Sequence, residues 1–197
     1  MLVALILAHP QGDSYCHSLA ERAAAGLRAG GHEVVVVDLY GQGFRAAMTS
    51  EERSAYHGDE PICDPLVEAS ADLIGRAEAL VFVYPTWWTG LPAILKGWLE
   101  RVMVPGVAFR FDERSGKVRP ALSNIRHIVG VSTYEETHSA VRITNDNGRR
   151  TITRALRVNC GFRTRTHWFG IFDVFDKSDL ERSEFAGRVE RELTELR

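Results

Sequence analysis

Apolar positions along this chain follow two rhythms. Continuous apolar runs at Leu2 to Ala8, Glu33 to Leu39, Ala79 to Tyr84, Asn124 to Ser132 and Thr164 to Phe172 read as five strands. The second run is so rich in valine that it predicts a strand buried on both faces. Between the runs, apolar residues recur at helical spacing. Leu19, Ala20, Ala23, Ala24 and Leu27 mark one face of a helix that Ser14 precedes and Gly30-Gly31 stops. Thr49-Ser50-Glu51-Glu52 has the spacing of a capping box for a short helix inside the longest irregular connection, Tyr40 to Pro65. Asp64 caps and Pro65 opens a helix to about Ala77. Pro92 suits the first turn of the next, with Ile94, Leu95, Trp98, Leu99 and Val102 on its apolar side until Pro105-Gly106. Gly148 to Asn159 reads as a helix. A second capping box, Ser178-Asp179-Leu180-Glu181, starts a helix carrying Phe185, Val189, Leu193 and Leu196 to the end.

Strands separated by helices require crossover connections, so the expected architecture is an α/β three-layer sandwich around a parallel sheet of order 2-1-3-4-5. At 197 residues and 45% apolar content the chain is read as one domain, residues 1–197, without repeats or linkers. A formal charge of −2 with acids and bases interspersed gives no electrostatic footprint for nucleic acid or an anionic membrane. Met1 to Ala8 is far shorter than the roughly 20 residues of a membrane span and lacks the basic region of a signal peptide. Three widely spaced cysteines, Cys16, Cys63 and Cys160, match neither a disulfide framework nor a zinc site, so a cytoplasmic home is expected. The seven histidines show no metal-ligand spacing, and no structural metal is expected.

In an open parallel sheet, ligands bind where strands end and helices begin. Three loops meet that description. After the first strand, His9-Pro10-Gln11-Gly12-Asp13-Ser14 leads into a helix whose first N–H groups are unpaired, a place to hold phosphate, or simply an N-cap. Asp13 would repel an anion and is expected to point outward. After the third strand, Pro85-Thr86-Trp87-Trp88-Thr89-Gly90 places two tryptophans in a strand-to-helix loop, as a flat partner such as an isoalloxazine ring requires; the alternative is a covered interface. After the fourth, Ser132-Thr133-Tyr134-Glu135-Glu136 supplies a third wall, whose N–H groups suit negative charge developing on a reduced ring.

Other chemistries fit worse. The first loop has neither the G-x-G-x-x-G fingerprint nor a P-loop lysine, and no G-x-S-x-G elbow occurs. Cys16, in the first turn of a helix, reads as a packing or ligand-lining residue, and His127, inside an apolar strand, as a core histidine.

Taken together and in this order, the three loops resemble the flavodoxin-like NAD(P)H:quinone oxidoreductases, the family of DT-diaphorase and the bacterial quinone reductases. The most specific stretch is Pro85 through Arg101, where Gly-Leu-Pro-Ala-Ile-Leu-Lys-Gly-Trp-Leu-Glu-Arg-Val, which runs on to Val102, is close to a family signature. Ala8-His9-Pro10, Asp13-Ser14-Tyr15 and Asp38-Leu39-Tyr40 also fit. The resemblance implies a flavodoxin-like fold and a homodimer with flavin, FMN or FAD, at the subunit interface. It implies reduction by NADPH or NADH and reoxidation by a quinone in a ping-pong cycle. His9, Ser14, Tyr15 and Cys16 match the phosphate-side loop. Pro85, Thr86, Trp87, Trp88 and Thr89 match the loop against the ring, and Ser132, Thr133, Tyr134 and Glu135 the third flavin loop. Phe109 and Phe111 fall where the family lines the substrate pocket, of the facing subunit. Tyr134 and His138 are the candidate catalytic donors near the reacting oxygen. Some members carry asparagine at Cys16, glycines at Tyr134 and Glu135, and tyrosines at Phe109 and Phe111, so here the pocket keeps its stacking surface without two phenol hydroxyls.

Two readings from other classes stay open at this point: a flavodoxin-type electron carrier, against which the near-neutral charge argues, and a regulatory subunit of a potassium-efflux antiporter. Azo- or nitro-compound reduction is a further possibility within the enzyme class. Arg110, Arg142, Arg149 and Arg150 read either as a solvated basic face or as readers of a nucleotide 2′-phosphate.

Overall fold

A computed structural model describes residues 1–58, 61–112 and 114–197. Its centre is a five-stranded parallel sheet of β1 (Leu2–Leu7), β2 (Glu33–Asp38), β3 (Ala79–Pro85), β6 (His127–Thr133) and β7 (Arg165–Ile171). The order is β2-β1-β3-β6-β7, the expected 2-1-3-4-5 once a small hairpin is set aside. That hairpin pairs β4 (Phe109–Phe111) with β5 (Val118–Pro120) antiparallel, outside the main sheet.

The sheet is packed on both faces. On one lie α1 (Tyr15–Ala29) and α8 (Asp179–Thr194), which meet closely enough that a Cβ on Gly26 would sit 2.2 Å from the Glu190 carbonyl oxygen. On the other lie α3 (Pro65–Arg76), α4 (Ala93–Val102) and a broken helical stretch; Phe82, Tyr84, Leu95 and Trp98 are fully buried in this core. The caps read from sequence are in place: Ser14 on α1, Asp64 with Pro65 on α3, and reciprocal capping boxes on α2 (Ser50–Ala55) and α8.

Four expectations need correction. The valine-rich β2 is an edge strand rather than one buried on both faces; Val35 and Val36 remain 37% and 40% exposed. Asn124 is not in a strand: its amide donates to the carbonyls of Ile74 and Ala77 and closes the open end of α3. Pro92 is the N-cap of α4 rather than a residue of its first turn. The helix expected over Gly148 to Asn159 is divided into α6 (Asn147–Arg150), a π-helical segment (Thr151–Leu156) and α7 (Arg157–Cys160). Thr151 and Thr153 donate their hydroxyls to the carbonyls of Asn147 and Arg149, a side-chain competition that bends the ladder. A further helix, α5 (His138–Ile143), lacks any apolar period in the sequence.

His127 is a core histidine, as expected, and its Nδ1 lies 3.1 Å from Nε2 of His167 on the neighbouring strand. No helix among the described residues is long and apolar enough to cross a membrane.

Candidate active site

Parallel pairing of β1, β3 and β6 brings the ends of all three strands to one edge of the sheet. The three loops are then tied to one another by short polar links. Thr86 N–H donates to the Thr133 carbonyl at 2.8 Å, the Thr86 and Ser132 hydroxyls lie 2.9 Å apart, and Ser132 donates to the Tyr84 carbonyl at 3.0 Å. The Cys16 thiol lies 3.7 Å from the Thr133 hydroxyl. Burial pushes that thiol up to about 11, so it joins the first and third loops as a packed group rather than a nucleophile.

In the first loop, His9 Nδ1 accepts from the Gln11 N–H, and burial holds its ring below the usual histidine range. Ser14 accepts from the His17 N–H, its hydroxyl lies 2.8 Å from His17 Nδ1, and His17 Nε2 lies 3.4 Å from the Asp38 carboxylate. This relay fixes Ser14 at the positive end of the α1 dipole. Asp13 is exposed. Tyr15 donates its hydroxyl to the Arg182 carbonyl at 2.7 Å, so its polar end serves the contact between α1 and α8.

The second loop is the most unusual. Trp87 and Gly90 exchange backbone hydrogen bonds around Trp88 and Thr89, both at positive φ (50° and 57°). That is the φ pattern of a type I′ turn, normally made by asparagine and glycine, and a β-branched threonine there is strained. In this turn Trp88 is 98% exposed and Trp87 40% exposed, the Trp87 ring centroid 6.5 Å from that of His9. Trp87 thus borders the first loop, and Trp88 stands open to solvent beside it in the same turn.

The third loop divides its residues. Ser132 and Thr133 are buried in the links above, whereas Glu135 is exposed. Tyr134 is fully buried beneath the edge: it stacks on Phe172 at 4.5 Å and donates its hydroxyl to both oxygens of Asp146 at 3.2 Å. Burial and the Asp146 charge hold the phenol well above its usual range. Burial likewise raises the Asp146 carboxyl. His138, the first residue of α5, is exposed and meets Phe172 edge-on at 4.8 Å. The Tyr84 hydroxyl, also fully buried, has no hydrogen-bond partner in this cluster among the described residues.

Phe109 and Phe111 are not brought to this edge. α4 carries the chain away from it, and the hairpin packs near the far end of α3, where Phe111 shares a groove with Arg76 and Asn124. Sequence reasoning missed Asp146 and Phe172. Asn145-Asp146-Asn147-Gly148 is a strong turn signal, and Asn145 and Asp146 do take positive φ, but nothing in the string announced a partner for Tyr134.

The family model described as "Flavodoxin-like fold" matches residues 1–191. A rat protein named NAD(P)H dehydrogenase [quinone] 1 is 32% identical over 122 residues, covering 54% of this chain and 44% of its own length. An uncharacterized NAD(P)H oxidoreductase of Haemophilus influenzae is 35% identical over 110 residues, covering 55% of this chain and 53% of that protein. The chain therefore spans about half the length of the curated relatives it matches. The solved NAD(P)H:quinone oxidoreductase of Methanothermobacter marburgensis superimposes with a TM-score of 0.84 at 27% identity, covering 100% of this chain and 99% of its own. An FMN-dependent NADH-azoreductase of Bacillus anthracis, solved with FMN, shares the fold at a TM-score of 0.72 and 13% identity, covering 98% and 97% of the two chains.

Proposed function

Because the chain belongs to the flavodoxin-like fold family, whose model spans residues 1–191, we propose that it is a flavin-dependent NAD(P)H:quinone oxidoreductase. The observation that carries this reading is the strained turn that holds Trp87 and Trp88 in the open beside the capped N-terminus of α1. Exposing two indoles forfeits burial free energy, on the order of 1.5–3 kcal/mol for a large apolar side chain, and a flat aromatic ligand recovers it. The names of the rat and Methanothermobacter relatives supply the donor and acceptor classes.

A bound FMN or FAD would supply the two-electron hydride chemistry that joins a nicotinamide to a quinone. The chain's own residues bind and orient. Ser14 and the first turn of α1, with His9, would hold phosphate; Pro85 to Thr89 would face the ring; Ser132, Thr133 and Glu135 would close its third side. His138 is the exposed donor candidate. Tyr134 acts as a positioning residue through Asp146 and Phe172. One slot serves nicotinamide and quinone in turn, in a ping-pong cycle. Phe109 and Phe111 lie too far from the loops of their own chain to line that slot, so a homodimer in which each hairpin serves the facing subunit completes it.

The test is an anaerobic visible spectrum of the protein with FMN and with FAD, followed by titration with NADPH or NADH and then a quinone. Loss of the flavin band and its return are expected. A bound flavin that neither nucleotide bleaches would make the protein an electron carrier or a regulatory subunit, and failure to bind flavin would remove the site itself.

A further inference from the structure

Beside the three loops lies a second, strongly basic cleft. His138 and Arg142, one turn apart on α5, face Arg149, Arg150 and Arg154 across about 410 Å³. Arg149 and Arg150 end α6 and Arg154 lies in the π-helical segment that follows it, and all three line the same cleft. Arg142, Arg149, Arg150 and Arg154 are exposed, and none forms an ion pair among the described residues, whereas Arg22, Arg101, Arg119, Arg126 and Arg182 each do. Asp146 also lines the cleft, but its oxygens are engaged by the Tyr134 hydroxyl and the Arg149 N–H.

Arg149 rests over the Trp168 ring at 5.6 Å, and Asp146 is the one carboxylate among the residues lining the cleft, so four guanidinium groups share a single internal counter-charge there and a multiply charged anion relieves their repulsion. The guanidinium fork matches phosphate oxygens in pairs. The cleft is also joined to the aromatic loop: the Gly148 N–H donates to the Thr89 carbonyl at 3.2 Å, and the Asn147 amide lies 3.5 Å from the Thr89 hydroxyl. A ligand with an aromatic ring on the loop can therefore reach the arginines with a second, charged end. A quinone is uncharged and the flavin phosphate is assigned above to the first turn of α1, which leaves the hydride donor as the source of the anion.

We propose that this cleft holds the 2′-phosphate of NADPH and makes NADPH the preferred donor over NADH. The assignment rests on the oxidoreductase reading. It is tested by isothermal titration calorimetry of the flavin-loaded protein with adenosine 2′,5′-bisphosphate, adenosine 5′-monophosphate and inorganic phosphate, at low salt. The bisphosphate is expected to bind about tenfold tighter than the monophosphate, as charge-assisted hydrogen bonds to one added phosphate imply. In the Arg142→Ala/Arg154→Ala variant that ratio falls toward one and the KM for NADPH rises relative to that for NADH, while Arg154→Lys, which keeps the charge, retains part of the preference. Equal binding of the two nucleotides would overturn the proposal, and inorganic phosphate binding as tightly as the bisphosphate would overturn its assignment to a nucleotide. A preference for the bisphosphate in a protein whose flavin neither nucleotide reduces would preserve an anion cleft and sink the oxidoreductase reading. Reduction by both nucleotides without that preference would do the reverse.

Discussion

Arginine does opposite things at the two ends of one helical layer. In α4, Arg101 is shut inside the protein, its side chain 1% exposed and its guanidinium fully engaged. It donates to both oxygens of Glu52, to Asp64 Oδ2 at 2.8 Å and to the Arg45 carbonyl, and it lies 4.9 Å from the centre of the Phe44 ring. It thereby fastens the long connection between β2 and α3 onto α4. Around the π-helical segment, Arg142, Arg149, Arg150 and Arg154 form no ion pair among the described residues and line a cleft that holds one carboxylate, Asp146. The same side chain is structural where its charge is answered from within and recognises a ligand where it is not.

The comparison breaks most sharply at Arg101. Replacement by alanine leaves Glu52 buried without its counter-ion and unfastens the Tyr40 to Pro65 connection. Breaking a buried pair from one side costs roughly 3–5 kcal/mol. Urea unfolding of Arg101→Ala should show a loss of that size; a loss below about 1 kcal/mol, the range of a surface pair, would mean that the triad is solvated and the contrast false.

A smaller effect separates the two ends by pH. The hydrogen bond from Arg101 holds the Asp64 carboxyl below its usual range. A group whose folded pKa is depressed stabilises fully above its unfolded value, near 3.8, and loses that contribution as pH falls through the folded value. Asp146 has the opposite sign: burial raises its carboxyl, so its contribution is complete below 3.8 and is lost as pH rises through the folded pKa. Asp146→Asn keeps an acceptor for Tyr134 without the charge. It should gain stability relative to wild type at neutral pH, with the gain closing as pH falls below about 4, the ordinary aspartate value. A difference in unfolding midpoint that does not change with pH would show Asp146 to be fully solvated.

How much of this was legible in the sequence differs between the two ends for a physical reason. The strands, α1, α3 and α8 bury apolar faces and carry local caps, and both signals are written in neighbouring residues. The Arg101 triad is not, because Glu52, Asp64 and Arg101 meet only once the connection folds back on α4. Around α5 to α7 the apolar period is weak and threonine hydroxyls rewrite the helix, so the π-helical segment was not visible; of the arginines, Arg142, Arg149 and Arg150 were singled out, but Arg154 was missed and Arg110 lies in a different groove. β2 misled because edge position follows from the strand order, whereas composition shows only that valines favour extended backbone. The aromatic loop stood out as two adjacent tryptophans, but its left-handed turn did not, since Trp88 and Thr89 are not residues that ask for positive φ.

The smallest effect expected is also the one that sharpens the contrast most. Arg154 is exposed and has no ion-pair partner among the described residues, and it lines the cleft with Arg142, Arg149 and Arg150. Truncating it removes no internal hydrogen bond and relieves like-charge repulsion, which salt would otherwise screen over about 10 Å at 0.1 M. Arg154→Ala should therefore change unfolding free energy by no more than about 0.5 kcal/mol, the range of ordinary surface substitutions, and in the direction of greater stability at low ionic strength. Adding 2′,5′-bisphosphate should reverse the order, because a ligand that binds the folded state stabilises it in proportion to its affinity, and the wild type binds more tightly. If Arg154→Ala instead loses stability without ligand, the arginine has an internal partner, and the α5 to α7 end is built on the same terms as Arg101.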